Sequence, residues 1–169
     1  MSASELRLAC ERACGALLAR GWMVATAESC TGGLIAQQLT EIGGSSVWFE
    51  RGFVTYSNAA KIDSLGVRAE TLAEHGAVSA QTVEEMAAGA LAHSVADVTV
   101  AVSGVAGPSG GSPDKPVGTV WFGFAVRDGQ TESVLQHFEG DRAAVRAAAA
   151  TFALRRLAEL ASEPPGDFA

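Results

Sequence analysis

Residues 22–39 read Trp-Met-Val-Ala-Thr-Ala-Glu-Ser-Cys-Thr-Gly-Gly-Leu-Ile-Ala-Gln-Gln-Leu. Trp22 to Ala27 is a short buried-strand pattern, and Leu34, Ile35, Gln38 and Leu39 resume at helical spacing. Between them, Glu28-Ser29-Cys30-Thr31-Gly32-Gly33 leaves room only for a tight turn, its glycines supplying the punctuation. A buried strand that runs through a turn straight into a helix opens a βα unit, and the chain is therefore read as an α/β protein.

The flanking segments agree. Upstream, Leu6, Cys10, Ala13 and Leu17 form a helical stripe over residues 3–20, with Gly21 just past its end. Downstream, Trp48 to Thr55 is a second strand, and Ser57 to Leu65 is a short helix or turn. Ser79 and Thr82 open an amphipathic helix that carries Val83, Met86, Ala87, Ala90 and Leu91 inward. Asp97 to Val102 is a third strand. Val117 to Val126 and Glu132 to Phe138 are two more, joined by Arg127-Asp128-Gly129-Gln130, in which Asp-Gly between apolar runs signals a hairpin. Asp141 caps a long last helix that runs to Ala161 and is closed by Pro164-Pro165. Helices before, between and after strands give a sandwich, and the hairpin makes its sheet mixed. No linker divides the chain: residues 1–163 are read as one domain and 164–169 as a short tail.

The 169 residues are 48% hydrophobic and 18% charged, with a formal net charge of -7. That composition is ordinary for a soluble globular protein and gives no basic field for nucleic acid or an anionic membrane. No apolar run reaches the ~18 residues of a membrane span, and the charged N-terminus is unlike a signal peptide. Three cysteines, an odd number without metal-ligand spacing, suit a reducing compartment. The expectation is a soluble, unprocessed, cytoplasmic protein. Cys10 and Cys14, one helical turn apart, are read as packing residues.

Rare residue types are concentrated. Ten of the 12 cationic residues are Arg, the only lysines are Lys61 and Lys115, and Tyr56 and Asn58 stand alone of their kinds against 32 alanines. Three of those four rare residues lie in Tyr56-Ser57-Asn58-Ala59-Ala60-Lys61.

Ser29 would stand at the carboxyl edge of the sheet beside helix-start amides, where free N–H groups can receive an oxyanion. The alternative for the same motif is plain N-capping. Cys30 is the rival nucleophile, ranked lower because no basic residue adjoins it in sequence. His75, His93 and His137 sit in no catalytic pattern and are read as surface or capping residues. Lys61 can serve as base to Ser29 if it is neutral, which requires its pKa to fall from ~10.4 toward ~7, about 4 kcal/mol that burial must supply. Tyr56 could relay the proton or donate to the oxyanion, and Asn58 could orient an amide.

The segment Ser103 to Thr119 carries glycines at 104, 107, 110, 111 and 118 with several hydroxyls, which suits phosphate or ribose; it matches neither a Walker loop nor a dinucleotide fingerprint, and a plain surface loop is the alternative. Arg142 and Arg146 stand at the start of the last helix, against its dipole, and call for an anion: Asp141 or a ligand phosphate. Arg155-Arg156 is read as solvated.

Taken in order and spacing, AESCTGG, YSNAAK, SGVAGPSGGSPDKPVGTV and GDRAAVR resemble the C-terminal domain of the competence/damage-inducible CinA family over nearly the whole chain. The resemblance implies a three-layer α/β/α sandwich with a mixed sheet, and the hydrolysis of nicotinamide mononucleotide to nicotinate mononucleotide and ammonia, a pyridine-nucleotide salvage step that needs neither metal nor organic cofactor. It implies a homo-oligomer, a dimer or larger. Longer relatives carry a further N-terminal domain that these residues do not include, and Ala59 stands where relatives often have Glu.

The resemblance puts the nucleophile on Ser29, with Tyr56 and Lys61 completing the catalytic set. Around the substrate the expected residues are Glu28, Cys30, Thr31, Gly32, Gly33, Asn58, Ser103, Gly104, Gly107, Gly110, Gly111, Lys115 and Arg142. Two other classes stay open: a binding module without turnover, and a magnesium-dependent phosphate-transferring enzyme built on the glycine-rich loop.

Overall fold

The computed structural model describes residues 2–164. Of the tail expected over 164–169, residues 165–169 lie outside the described residues. Helix α1 (Ala3–Arg20) starts on a Ser2/Glu5 capping box and stops at Gly21, whose φ of 72° few other residues adopt. Strand β1 (Val24–Glu28) leads to the short α2 (Leu34–Leu39), and β2 (Phe49–Val54) follows. Three helices come next: α3 (Asn58–Leu65), α4 (Ala69–His75) and α5 (Ala80–Ala92). Ser57 caps α3 and Ser79 caps α5. The chain finishes with β3 (Val98–Gly104), the hairpin β4 (Thr119–Val126) and β5 (Thr131–His137), and α6 (Arg142–Ser162), capped by Asp141. In the β4–β5 turn, Asp128 takes the left-handed conformation.

The sheet order is β2-β1-β3-β4-β5, parallel among the first three strands and antiparallel through β4 and β5. It is a mixed sheet between two helical layers, as the motifs implied. Alternation in the central strands feeds both layers. Val98, Val100 and Val102 pack with α1 and α6, whereas Ala27, Ala101 and Ala125 pack with Leu65, Leu72 and the inward face of α5. The second interface is tight: a Cβ on Gly123 of β4 would come 2.2 Å from the Val83 carbonyl oxygen of α5. Alanines and a glycine on that face let the helix sit close.

From β1 the chain crosses to β2 on one side, then returns past β1 to β3 on the other. The crevice between the carboxyl ends of β1 and β3 is therefore a topological switch point, the place where open α/β sheets bind ligands.

Two sequence readings change. Helix α4, of which the sequence shows only an apparent stop at His75-Gly76, is a seven-residue element whose N-cap Arg68 offers no side-chain cap. Arg156 is not simply solvated, for its guanidinium pairs with Glu132, Glu159 and Glu163.

Candidate active site

Strand β1 is buried at every position. Its last residue, Glu28, lies on the α2 side, where its carboxylate accepts the Thr31 hydroxyl at 2.7 Å, the Ile35 N–H at 2.8 Å and the Ala36 N–H at 3.0 Å. It is fully buried and caps α2 from below. Glu28, expected beside the substrate, has both its oxygens occupied and does not line the cleft over Ser29. Thr31 is likewise buried behind the turn, and the first free amides of α2 are spent on Glu28 rather than on a ligand.

Ser29, the next residue, donates its N–H to the Val102 carbonyl at 3.0 Å, which ties the turn to β3. Gly32 (φ 60°) and Gly33 (φ 102°) reverse the chain into α2. The Ser29 side chain faces Lys61 of α3. The Lys61 Nζ lies 2.8 Å from Ser29 Oγ, 2.9 Å from the Thr55 carbonyl and 3.0 Å from the Tyr56 carbonyl. Lys61 is 1% exposed, and burial pushes its ammonium from an ordinary 10.5 down to about 8. No carboxylate among the described residues approaches it to hold the charge. Cys30 is buried too, and burial pushes its thiol up to about 11, the wrong direction for a nucleophile at neutral pH.

A cleft of about 180 Å³ opens over Ser29 and Lys61, with Cys30, Ser103, Gly104 and Ala106 on its sheet side. Tyr56 and Arg142 form its mouth, and Ala77 and Val78 give it an apolar wall. Tyr56 is 62% exposed; its carbonyl, not its phenol, serves Lys61, and the phenol oxygen accepts from Arg142 Nη2 at 3.3 Å. The phenol makes no hydrogen bond to Ser29 or Lys61. Arg142 also donates to the Gly107 carbonyl at 2.8 Å and has no carboxylate partner among the described residues.

Several expected contacts lie elsewhere. Asn58 is exposed at the start of α3, and Gly110 and Gly111 are exposed on the loop; none lines the cleft. Lys115 donates to the His75 carbonyl at 2.7 Å and so straps the glycine-rich loop to the end of α4, a structural tether in place of the expected substrate contact. The anion expected near Arg146 is a pair of carbonyls, those of Cys30 and Thr31.

A larger hollow of about 510 Å³ lies at the far end of the sheet around Trp22, Phe124 and the β4–β5 turn. Arg127 there is committed to the Leu91, Ser94 and Ala96 carbonyls and Arg156 to its carboxylates, and no nucleophile opens onto it. Volume alone does not make it the reactive site. Among the described residues no cluster of three His, Cys, Asp or Glu could hold a metal ion, and no helix is long and apolar enough to cross a membrane.

Comparison with known proteins places this geometry in context. Residues 8–161 match the family described as the CinA C-terminal domain. The nicotinamide-nucleotide amidohydrolase PncC of Enterobacter agglomerans is 63% identical over 140 residues, 83% of this chain and 85% of that one. The protein of the same name from Escherichia coli (strain K12) is 57% identical over 157 residues, 93% of this chain and 95% of that one. Among solved structures, the competence/damage inducible protein CihA from Agrobacterium tumefaciens superposes with a TM-score of 0.90 at 46% identity, covering 95% of this chain and 98% of that one.

Proposed function

The chain belongs to the family of CinA C-terminal domains, and on that premise we propose that it hydrolyses nicotinamide mononucleotide to nicotinate mononucleotide and ammonia, with Ser29 as nucleophile and Lys61 as base. The observation that carries the chemistry is the 2.8 Å approach of a fully buried lysine amine to the serine oxygen.

A neutral Lys61 has two N–H groups and one lone pair. In the structure Nζ donates to Ser29 Oγ and to the Thr55 and Tyr56 carbonyls, and the Ser29 hydroxyl donates to the Tyr56 carbonyl at 3.3 Å; once Nζ has lost a proton, its two N–H groups stay on the carbonyls and its lone pair turns to the Ser29 hydroxyl. The Ser29 oxygen adds to the carboxamide carbon while its proton passes to Nζ. The amide oxygen takes up the negative charge beside the Cys30 and Thr31 N–H groups, neither of which donates to a backbone carbonyl among the described residues. Collapse breaks the C–N bond, Lys61 returns the proton to the departing nitrogen, and ammonia leaves. Water then attacks the acyl carbon, with Lys61 again the base, and releases the carboxylate and Ser29.

Arg142, free of carboxylates at the mouth, holds the substrate phosphate, with the Tyr56 phenol and the glycine-rich loop toward the ribose. The same reading makes the protein a cytoplasmic homo-oligomer. Its three cysteines are free thiols, which suits a reducing compartment, and β2 and β5 leave sheet edges open to a second copy.

The test is ammonia and nicotinate mononucleotide formation by the purified chain, in the presence and absence of a chelator. Turnover indifferent to the chelator supports the reading. Tight binding of the mononucleotide without ammonia release replaces it with the binding-module alternative. Arg142→Ala is expected to raise KM for the mononucleotide about 10- to 100-fold, the value of one charge-assisted contact, while the phosphate-free riboside is barely affected.

A further inference from the structure

Arg146 is half-buried in the second turn of α6, and among the described residues no carboxylate lies within ion-pair distance of it. Its guanidinium reaches across to the turn after β1. There Nε donates to the Cys30 carbonyl at 3.0 Å and Nη2 to the Thr31 carbonyl at 3.1 Å. The Ser29 carbonyl, one residue earlier, accepts the Gly32 N–H at 3.1 Å. Three successive carbonyls are therefore pinned. In a trans peptide the N–H points away from its C=O, so fixing the Ser29 and Cys30 oxygens also fixes where the Cys30 and Thr31 N–H groups aim. Neither of these two amides donates to a backbone carbonyl among the described residues.

We infer that Arg146 is a positioning residue for the hydrolysis: its two N–H groups hold the Cys30–Thr31 and Thr31–Gly32 peptide planes, which aims the Thr31 amide directly and, through the Gly32 N–H on the Ser29 carbonyl, the Cys30 amide, so that both are preset for the oxyanion. The inference rests on the amidohydrolase reading above. Preset donors are worth more than mobile ones, because they need no reorganisation as charge develops. The planar fork matters in particular. Lysine would keep the positive charge but could not supply two N–H groups in a fixed plane to adjacent carbonyls. The packing leaves the arginine little freedom, since a Cβ on Gly32 would already stand 3.2 Å from Nη2.

The experiment compares wild type, Arg146→Met and Arg146→Lys in two assays. One is steady-state hydrolysis of nicotinamide mononucleotide. The other is binding of the analogue with an aldehyde in place of the carboxamide: the Ser29 oxygen bonds to the aldehyde carbon, the C=O π bond opens to an oxyanion, and the serine proton moves to Lys61. Arg146→Met is expected to lower kcat about 100-fold with KM within about threefold, and to weaken the aldehyde by a similar factor. Arg146→Lys should lie closer to Arg146→Met than to wild type, and the apparent pKa of the rate should stay where wild type has it. Unchanged kcat, an effect confined to KM, or unchanged aldehyde affinity overturns the inference. Should Arg146→Met fail to fold, Arg146→Lys carries the decision, and wild-type kcat in that variant overturns the role of the fork. A wild type inert toward the amide removes the functional reading and this inference with it; an active wild type matched by both variants removes this inference alone.

Discussion

Replacing Ser29 with Ala is expected to lower kcat by ~10⁴-fold or more, while the dissociation constant for nicotinamide mononucleotide changes little. In the proposed mechanism the oxygen removed is the one that bonds to the carboxamide carbon, and no neighbouring group can take its place. Cys30 has its thiol pushed up to about 11 by burial. Binding should survive, because the groups assigned to phosphate and ribose lie at the mouth rather than at the base of the cleft. A Ser29→Ala protein must also fold: the side chain is small, and the turn is held by the Ser29 backbone through the Val102 carbonyl and Gly32, which the substitution leaves in place. If wild type and variant both bind the mononucleotide and both release no ammonia, the protein is a binding module.

Replacing Lys61 with Met should be nearly as damaging, about 10³-fold or more in kcat, because a positioned general base contributes on the order of 10²–10⁴ and the serine then has no proton acceptor. The pH dependence gives the sharper signature. In the proposed mechanism the working form of Lys61 is the neutral amine, so the wild-type rate is expected to rise with pH and level off above about 8. The Met variant should lose that inflection. Stability carries the same sign. Between about 8 and the ordinary 10.5, the unfolded chain holds a proton on Lys61 that the folded chain has released, so the folded state gains stability as pH rises through that window. Below it the folded state bears a penalty of roughly 3 kcal/mol for charging a buried amine. Met removes this penalty and leaves the Thr55 and Tyr56 carbonyls without their donor, two terms of opposite sign. The variant is therefore expected to melt near wild type at neutral pH and to lack the alkaline gain. Lys61→Arg, which keeps the charge at every accessible pH, should be inactive throughout.

The pairing of Ser29 with Lys61 was legible before any coordinates, for two physical reasons. A strand running through a short turn into a helix has few geometries, and each places the turn residue at the carboxyl edge of the sheet. Lysine is the cation that burial can neutralise, and one of only two in the chain lies in the Tyr56–Lys61 cluster. The caps were legible too: Ser57, Ser79 and Asp141 begin their helices because each hydroxyl or carboxylate satisfies an orphan amide.

What sequence could not supply was which atom of a residue does the work, and where long side chains reach. Tyr56 was read for its phenol, yet it gives Lys61 its carbonyl. Glu28 sits beside Ser29 in sequence but on the opposite face of β1, and its partners, Ile35 and Ala36, become visible only once α2 folds over it. Lys115 meets a carbonyl 40 residues away, and Arg146 one 116 residues away. The sequence showed that Arg146 wanted a negative partner. That the partner would be two backbone oxygens of the turn after β1 depends on how α6 packs against α1, α2 and β3, a long-range fact with no local signature.

All of this depends on Lys61 being uncharged beside Ser29 when the enzyme works. Since the chain contains only Lys61 and Lys115, ¹³Cε and ¹⁵Nζ resonances of lysine-labelled protein can be followed across pH and assigned with Lys115→Arg. The account expects the Lys61 signal to titrate at about 8. A Lys61 signal that titrates at ~10.4, the value of a free lysine, would contradict it.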